Sequence, residues 1–133
     1  MTAIYSYLTF NGNCREAMSF YKACLGGKLT FQTVKQSPMS ARMPARMRDC
    51  IVQSVLKKDE FVLIGTDLVG DSGLLKGNAV SLMLRCESER QAKSCYRKLA
   101  EGGHVTNELK PTEDGGIIGN LVDKFGTYWI IYA

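Results

Sequence analysis

The sequence predicts an α+β fold: two paired βαβββ modules enclosing a cavity. This rests on two amphipathic helical stripes with matching starts and stops, a constant offset between them, and alternating strand-like runs shared equally around both. The first stripe begins at Asn13. Asn13 with Glu16 three residues on is a capping-box pattern, in which the Asn side chain accepts from an orphan helix N–H and the Glu reaches back to the Asn N–H. Cys14, Ala17, Met18, Tyr21, Cys24 and Leu25 then recur at helical spacing, with Arg15, Glu16, Ser19 and Lys22 on the opposite side. Gly26 and Gly27 end the helix with left-handed backbone that costs glycine nothing.

The second stripe repeats this grammar. Ser88 and Gln91 make another capping box, Ala92, Cys95, Tyr96 and Leu99 keep the spacing, and Gly102 and Gly103 close it. The caps (13 and 88), the alanines (17 and 92) and the tyrosines (21 and 96) all stand 75 residues apart, which marks an internal duplication. Each helix follows one strand and precedes three. The strand-like runs are AIYSYLTF, KLTFQTV, CIVQSVLKK and EFVLIGTDL in the first half, and AVSLMLRC, HVTNELK, GIIGNLV and TYWIIYA in the second. Asp59 and Phe125-Gly126 fall in tight turns. The first module is expected over 1–69 and the second over 79–133, joined by a linker at 70–78, within one domain. Residues 39–48 form an irregular insertion, because Pro44 interrupts the helical spacing of Met39, Met43 and Met47.

Composition narrows the class of protein. A chain of 133 residues is one domain's worth and can bury a sizeable core without metals or disulfides. No apolar run is long enough to span a bilayer, and MTAIYSYLTF lacks the basic start and cleavage site of an export signal, so the expected location is cytoplasmic. The net charge of +4 is mild and spread along the chain apart from Arg42, Arg46 and Arg48, which argues against a nucleic-acid partner. Five cysteines without a CxxC pair read as reduced core thiols.

One helix covers only one face of a four-stranded sheet, so each module needs something for its other face. Pairing the halves around a cavity supplies it. On the first strand Ile4, Ser6, Leu8 and Phe10 alternate with Tyr5, Tyr7 and Thr9, and on the fifth Val80, Leu82 and Leu84 alternate with Ser81, Met83 and Arg85. The more aliphatic sets belong against the helices. The cavity lining is then Tyr5, Tyr7, Thr9, Ser81, Met83, Arg85, Tyr128, Ile130 and Tyr132, a mixture of aromatic area and polar groups suited to a small molecule. The plainer alternative is that these side chains fill a closed barrel. Asp67 and Arg85 are the only charged residues near the strand ends with a place from which to face the opening; there Arg85 would suit a carboxylate or phosphate, and the equal alternative is an exposed surface charge at a strand end.

The run Tyr7-Leu8-x-Phe10-Asn11-Gly12-Asn13-Cys14-x-Glu16-Ala17, followed by Phe20-Tyr21-Lys22 and, near the other end, Phe125-Gly126 to Trp129, resembles the PhnB-like branch of the glyoxalase/bleomycin-resistance (vicinal oxygen chelate) superfamily. The resemblance covers essentially the whole chain and implies paired modules that form a curved mixed sheet around a cavity and, as is common in the family, a homodimer. Metalloenzymes of that superfamily hold a divalent ion through His and Glu on the first, fourth, fifth and eighth strands. Those places correspond here to Tyr5 or Ser6, to 64–66, to Val80 or Ser81, and to Ile130, none of them a fitting ligand. Relatives that carry a third-strand His have Gln53 in its place here, and Gln53 joins the ligand-binding candidates as a hydrogen-bonding group. His104, the single histidine, falls at a strand start.

The resemblance therefore implies a small-molecule binding protein of unassigned activity with no predicted cofactor. A divalent metal, and with it a lyase, isomerase or dioxygenase activity, is the disfavoured alternative. Drug sequestration ranks third, since a cationic drug of the bleomycin type calls for an acidic groove. A methyl-donor loop is not evident either, because Gly26-Gly27 ends a helix instead of opening one.

Overall fold

The computed structural model describes residues 1–133 and contains two compact units, Met1–Leu74 and Leu75–Ala133. The first runs β1 (Ser6–Thr9), α1 (Cys14–Leu25), β2 (Lys28–Thr33), β3 (Ile51–Lys58) and β4 (Phe61–Thr66). The second runs β5 (Ser81–Arg85), α2 (Glu89–Ala100), β6 (His104–Pro111), β7 (Ile117–Val122) and β8 (Tyr128–Tyr132). The sheets are ordered β1-β4-β3-β2 and β5-β8-β7-β6. In each, the first strand lies parallel to the last and the remaining pairs are antiparallel. Both sheets are open, so the closed-barrel alternative is set aside.

Helix α1 buries Cys14, Ala17, Met18, Tyr21, Cys24 and Leu25, and α2 buries Ala92, Cys95, Tyr96 and Leu99, the two stripes read from the sequence. Small residues let each helix lie close to its sheet. A methyl group on Gly65 would stand 2.9 Å from Met18 Sδ and 3.0 Å from Cys14 Sγ. One on Gly119 would stand 2.8 Å from Tyr96 Cε2, a ring pinned by its hydroxyl donating to the Asn107 carbonyl oxygen at 2.8 Å. Ser54, cross-strand neighbour of Gly65, is fully buried with its hydroxyl unpartnered.

The helix starts differ from the sequence reading in one respect. Ser88 caps α2 as expected, accepting from the Gln91 N–H at 3.1 Å, while Gln91 Oε1 accepts from the Glu87 N–H, one residue before the cap. Asn13 makes no side-chain cap hydrogen bond. Its task falls to Asp67, just past β4, whose Oδ1 accepts from the N–H groups of Gly12 (3.1 Å) and Cys14 (2.9 Å) and whose Oδ2 accepts from the Ile51 N–H (2.9 Å). A carboxylate accepts more strongly than an amide oxygen, so once the sheet delivers Asp67 the local cap is redundant. Asp67 is consequently buried and does not face an opening, contrary to the sequence expectation.

Asp123 organises the other signature run. Its Oδ1 accepts from the Phe125 and Thr127 N–H groups and its Oδ2 from Trp129 Nε1, which shapes the turn between β7 and β8 with Gly126 at φ +86°. The insertion between β2 and β3 contains two single 3₁₀ turns, Pro38–Ala41 and Ala45–Met47, divided at Pro44. Ile4 and Val80 precede their strands and are exposed, so neither joins the helix-facing set to which alternation assigned it.

Candidate functional site

Cross-strand register defines the face of each sheet that the helix leaves uncovered, because paired residues point to the same side. In the first unit Tyr7 stands beside Ile64, Ile64 beside Val55, and Val55 beside Thr30. Gln53 lies opposite Gln32, and Lys57 opposite Lys28. Tyr7 is 61% exposed and Tyr5, immediately before β1, is 57% exposed.

The second unit presents three such rows. Ser81 adjoins Tyr128, which adjoins Val122 and then His104; Met83 adjoins Ile130, then Asn120 and Asn107; Arg85 adjoins Tyr132, then Ile118 and Lys110. Met83 is 59% exposed. The buried partners Leu121, Trp129 and Ile131 alternate with these residues and face α2.

The eight candidates thus fall into two groups. Tyr5, Tyr7 and Gln53 belong to the first unit, whereas Ser81, Met83, Arg85, Tyr128 and Ile130 share one face of the second. Register places Met83 directly beside Ile130 and Ser81 beside Tyr128. Asn120 and Asn107, absent from the sequence candidates, stand in the Met83 row. The alternation of GIIGNLV contained that signal, since Asn120 has the parity of Ile118 and Val122.

Two of the buried thiols, Cys14 and Cys86, are held in the protonated form. Burial, reinforced by the charge of Asp67, pushes the Cys14 thiol up to about 12. Burial and the adjoining Cys95 do the same to Cys86, also up to about 12. Both are protonated near neutrality, and only a thiolate attacks or ligates well.

The positions that the resemblance assigned to a divalent site, Tyr5 or Ser6, 64–66, Val80 or Ser81, and Ile130, carry no His, Cys, Asp or Glu, and no group of three or more such side chains stands close enough to hold a metal ion. Phenol, hydroxyl and hydrocarbon do not make the N, O and S donor set such an ion needs. His104 begins β6 and is exposed.

A family model described as 3-demethylubiquinone-9 3-methyltransferase matches residues 2–132. Among solved structures, protein PA1353 from Pseudomonas aeruginosa is 35% identical with a TM-score of 0.84, the alignment covering 98% of this chain and 96% of that one. A PhnB protein from Bacillus cereus is 21% identical, with a TM-score of 0.73 and coverage of 97% of both chains. A glyoxalase/bleomycin resistance protein/dioxygenase family enzyme from Burkholderia phytofirmans shares the fold at 13% identity and a TM-score of 0.65, over 98% of both chains.

Proposed function

The chain belongs to the PhnB-like, 3-demethylubiquinone-9 3-methyltransferase-like family with the glyoxalase/bleomycin-resistance fold, and on that premise we propose that it binds a small molecule on the helix-free faces of its sheets without a metal ion. The observation that carries this reading is the character of those faces. They combine exposed aromatic and thioether area (Tyr7, Met83) with polar groups at fixed positions (Gln53, Ser81, Asn120, Arg85). Large apolar area orders a ligand by exclusion of water, and a few polar groups fix its orientation. Seven large apolar or aromatic side chains, Met1, Ile4, Tyr5, Tyr7, Leu75, Val80 and Met83, are more than half exposed, on the sheet faces and beside them, which supports a second copy of the chain covering some of them.

The donor set supports the metal-free part of the proposal, because every position equivalent to a superfamily ligand lacks an imidazole or carboxylate. Gly26 and Gly27 follow the C-terminus of α1, so they end a helix and do not form the glycine-rich strand-to-helix loop that would support the methyltransferase activity in the family's name. Metal analysis of the purified protein, combined with thermal-shift screening against Zn²⁺, Ni²⁺, Mn²⁺ and Fe²⁺ and light scattering for mass, tests the proposal. Sub-stoichiometric metal and no shift are expected; one equivalent of tightly held metal would overturn the metal-free reading.

A further inference from the structure

The cross-strand rows of the helix-free faces contain Lys and Arg but no Asp or Glu. Seven of the eight strands, β1 to β5, β7 and β8, contain no Asp or Glu. The exception is Glu108 on β6, which stands near Tyr96 of α2. Five Lys or Arg side chains lie on the strands: Lys28, Lys57, Lys58, Arg85 and Lys110. Lys58 turns toward the helix side, where its ammonium donates to the Leu25 carbonyl oxygen at 3.1 Å. The other four sit at the helix-free register positions, and none is held in an ion pair.

Two placements sharpen this. Lys28 and Lys57 are direct cross-strand partners, an arrangement that costs stability through like-charge repulsion when no anion intervenes. On the second unit Arg85 and Lys110 end one four-strand row, with Tyr132 and Ile118 between them. Strands stand about 4.8 Å apart, so the two cations flank roughly 14 Å of phenolic and aliphatic surface. An arginine fork donates two parallel hydrogen bonds to a carboxylate or phosphate, and a flat apolar body suits the space beside Tyr132.

We propose that the ligand class of the helix-free faces is an organic anion, a carboxylate or phosphate ester on an aromatic or apolar body, with Arg85 as its principal anchor. This rests on the small-molecule reading above and adds the charge of the ligand to it. Cationic ligands are disfavoured because the register rows of both faces hold no carboxylate to replace their lost hydration.

The test uses four probes with one body, 2-naphthoate, 2-naphthyl phosphate, 2-naphthamide and 2-naphthylmethylammonium, titrated into the isotope-labelled full chain and followed by amide chemical shifts. Naphthoate or naphthyl phosphate is expected to perturb 81–85 and 128–132 and to bind at least ten-fold more tightly than the amide, with the ammonium weakest. Whichever anion binds more tightly identifies the head group. Arg85→Gln is expected to remove that ten-fold preference while leaving the amide's affinity within two-fold. Equal or tighter binding of the amide or the ammonium at these strands would overturn the anion inference and leave the small-molecule reading standing. No perturbation of either helix-free face by any probe would overturn both. An anion preference that survives in Arg85→Gln would overturn Arg85 as the anchor.

Discussion

The two units begin their helices by different means from the same repeated pattern. In the second unit the cap is local, with Ser88 accepting from the Gln91 N–H three residues on. In the first, Asn13 stands in the corresponding place and is bypassed, because Asp67 arrives from the far end of the sheet and binds N–H groups on both sides of it. A duplicated sequence pattern therefore conserves where a helix starts without conserving what holds the start. Asp67 also reaches Ile51, so one carboxylate ties together the entry to α1, the start of β3 and the end of β4. Ser88 ties together only its own turn.

That contrast ranks the expected losses. Asp67→Ala leaves three N–H groups without their charged acceptor and is expected to cost about 3–5 kcal/mol, measured by urea unfolding. A loss below about 1 kcal/mol would show that water replaces the clamp. Next come the glycines beneath the helices. Gly119→Ala meets a pinned Tyr96 ring, whereas Gly65→Ala meets Cys14 Sγ and the unbranched, flexible side chain of Met18 at Cγ and Sδ. Overpacking costs typically 1–3 kcal/mol, so Gly119→Ala belongs near about 3 and Gly65→Ala near about 1; a reversed order would refute the packing account.

The caps themselves give a smaller pair. Ser88→Ala is expected to lower stability by about 1 kcal/mol, the usual worth of a formed N-cap. Asn13→Ala is expected to cost under about 0.5 kcal/mol, since no cap bond exists to lose. Equal losses would mean that Asn13 caps after all. The smallest effect near neutrality is a pH dependence. Cys14 and Cys86 titrate at about 12 when folded against an ordinary value of 9.0, so the folded chain retains protons that the unfolded chain releases. Their contribution is complete below about pH 9 and declines as pH rises toward 12. The double variant Cys14→Ala, Cys86→Ala should show a shallower fall of the urea midpoint between pH 8 and 11, and an unchanged slope would refute this assignment.

Much of the fold was legible before any coordinates. The buried stripe of each helix, the glycine stops and the order of strands follow from periodicity, because a helix or strand repeats its environment along the chain. Tyr7, Met83 and Ile130 were assigned to the helix-free face for the same reason, and register agrees. What alternation cannot supply is where a strand begins. Ile4 and Val80 keep the period yet lie outside the ladders, where nothing imposes a face.

By itself, then, the sequence determined the duplication, the two helix faces, the strand alternation and the net charge, all of which are local or additive properties of the chain. Tertiary structure decided which strands are neighbours, and with that which side chains meet. The burial of Asp67, the apposition of Lys28 and Lys57, and the row from Arg85 to Lys110 each join residues distant in sequence. Such meetings depend on hydrogen-bonded pairing between strands, which no single segment encodes.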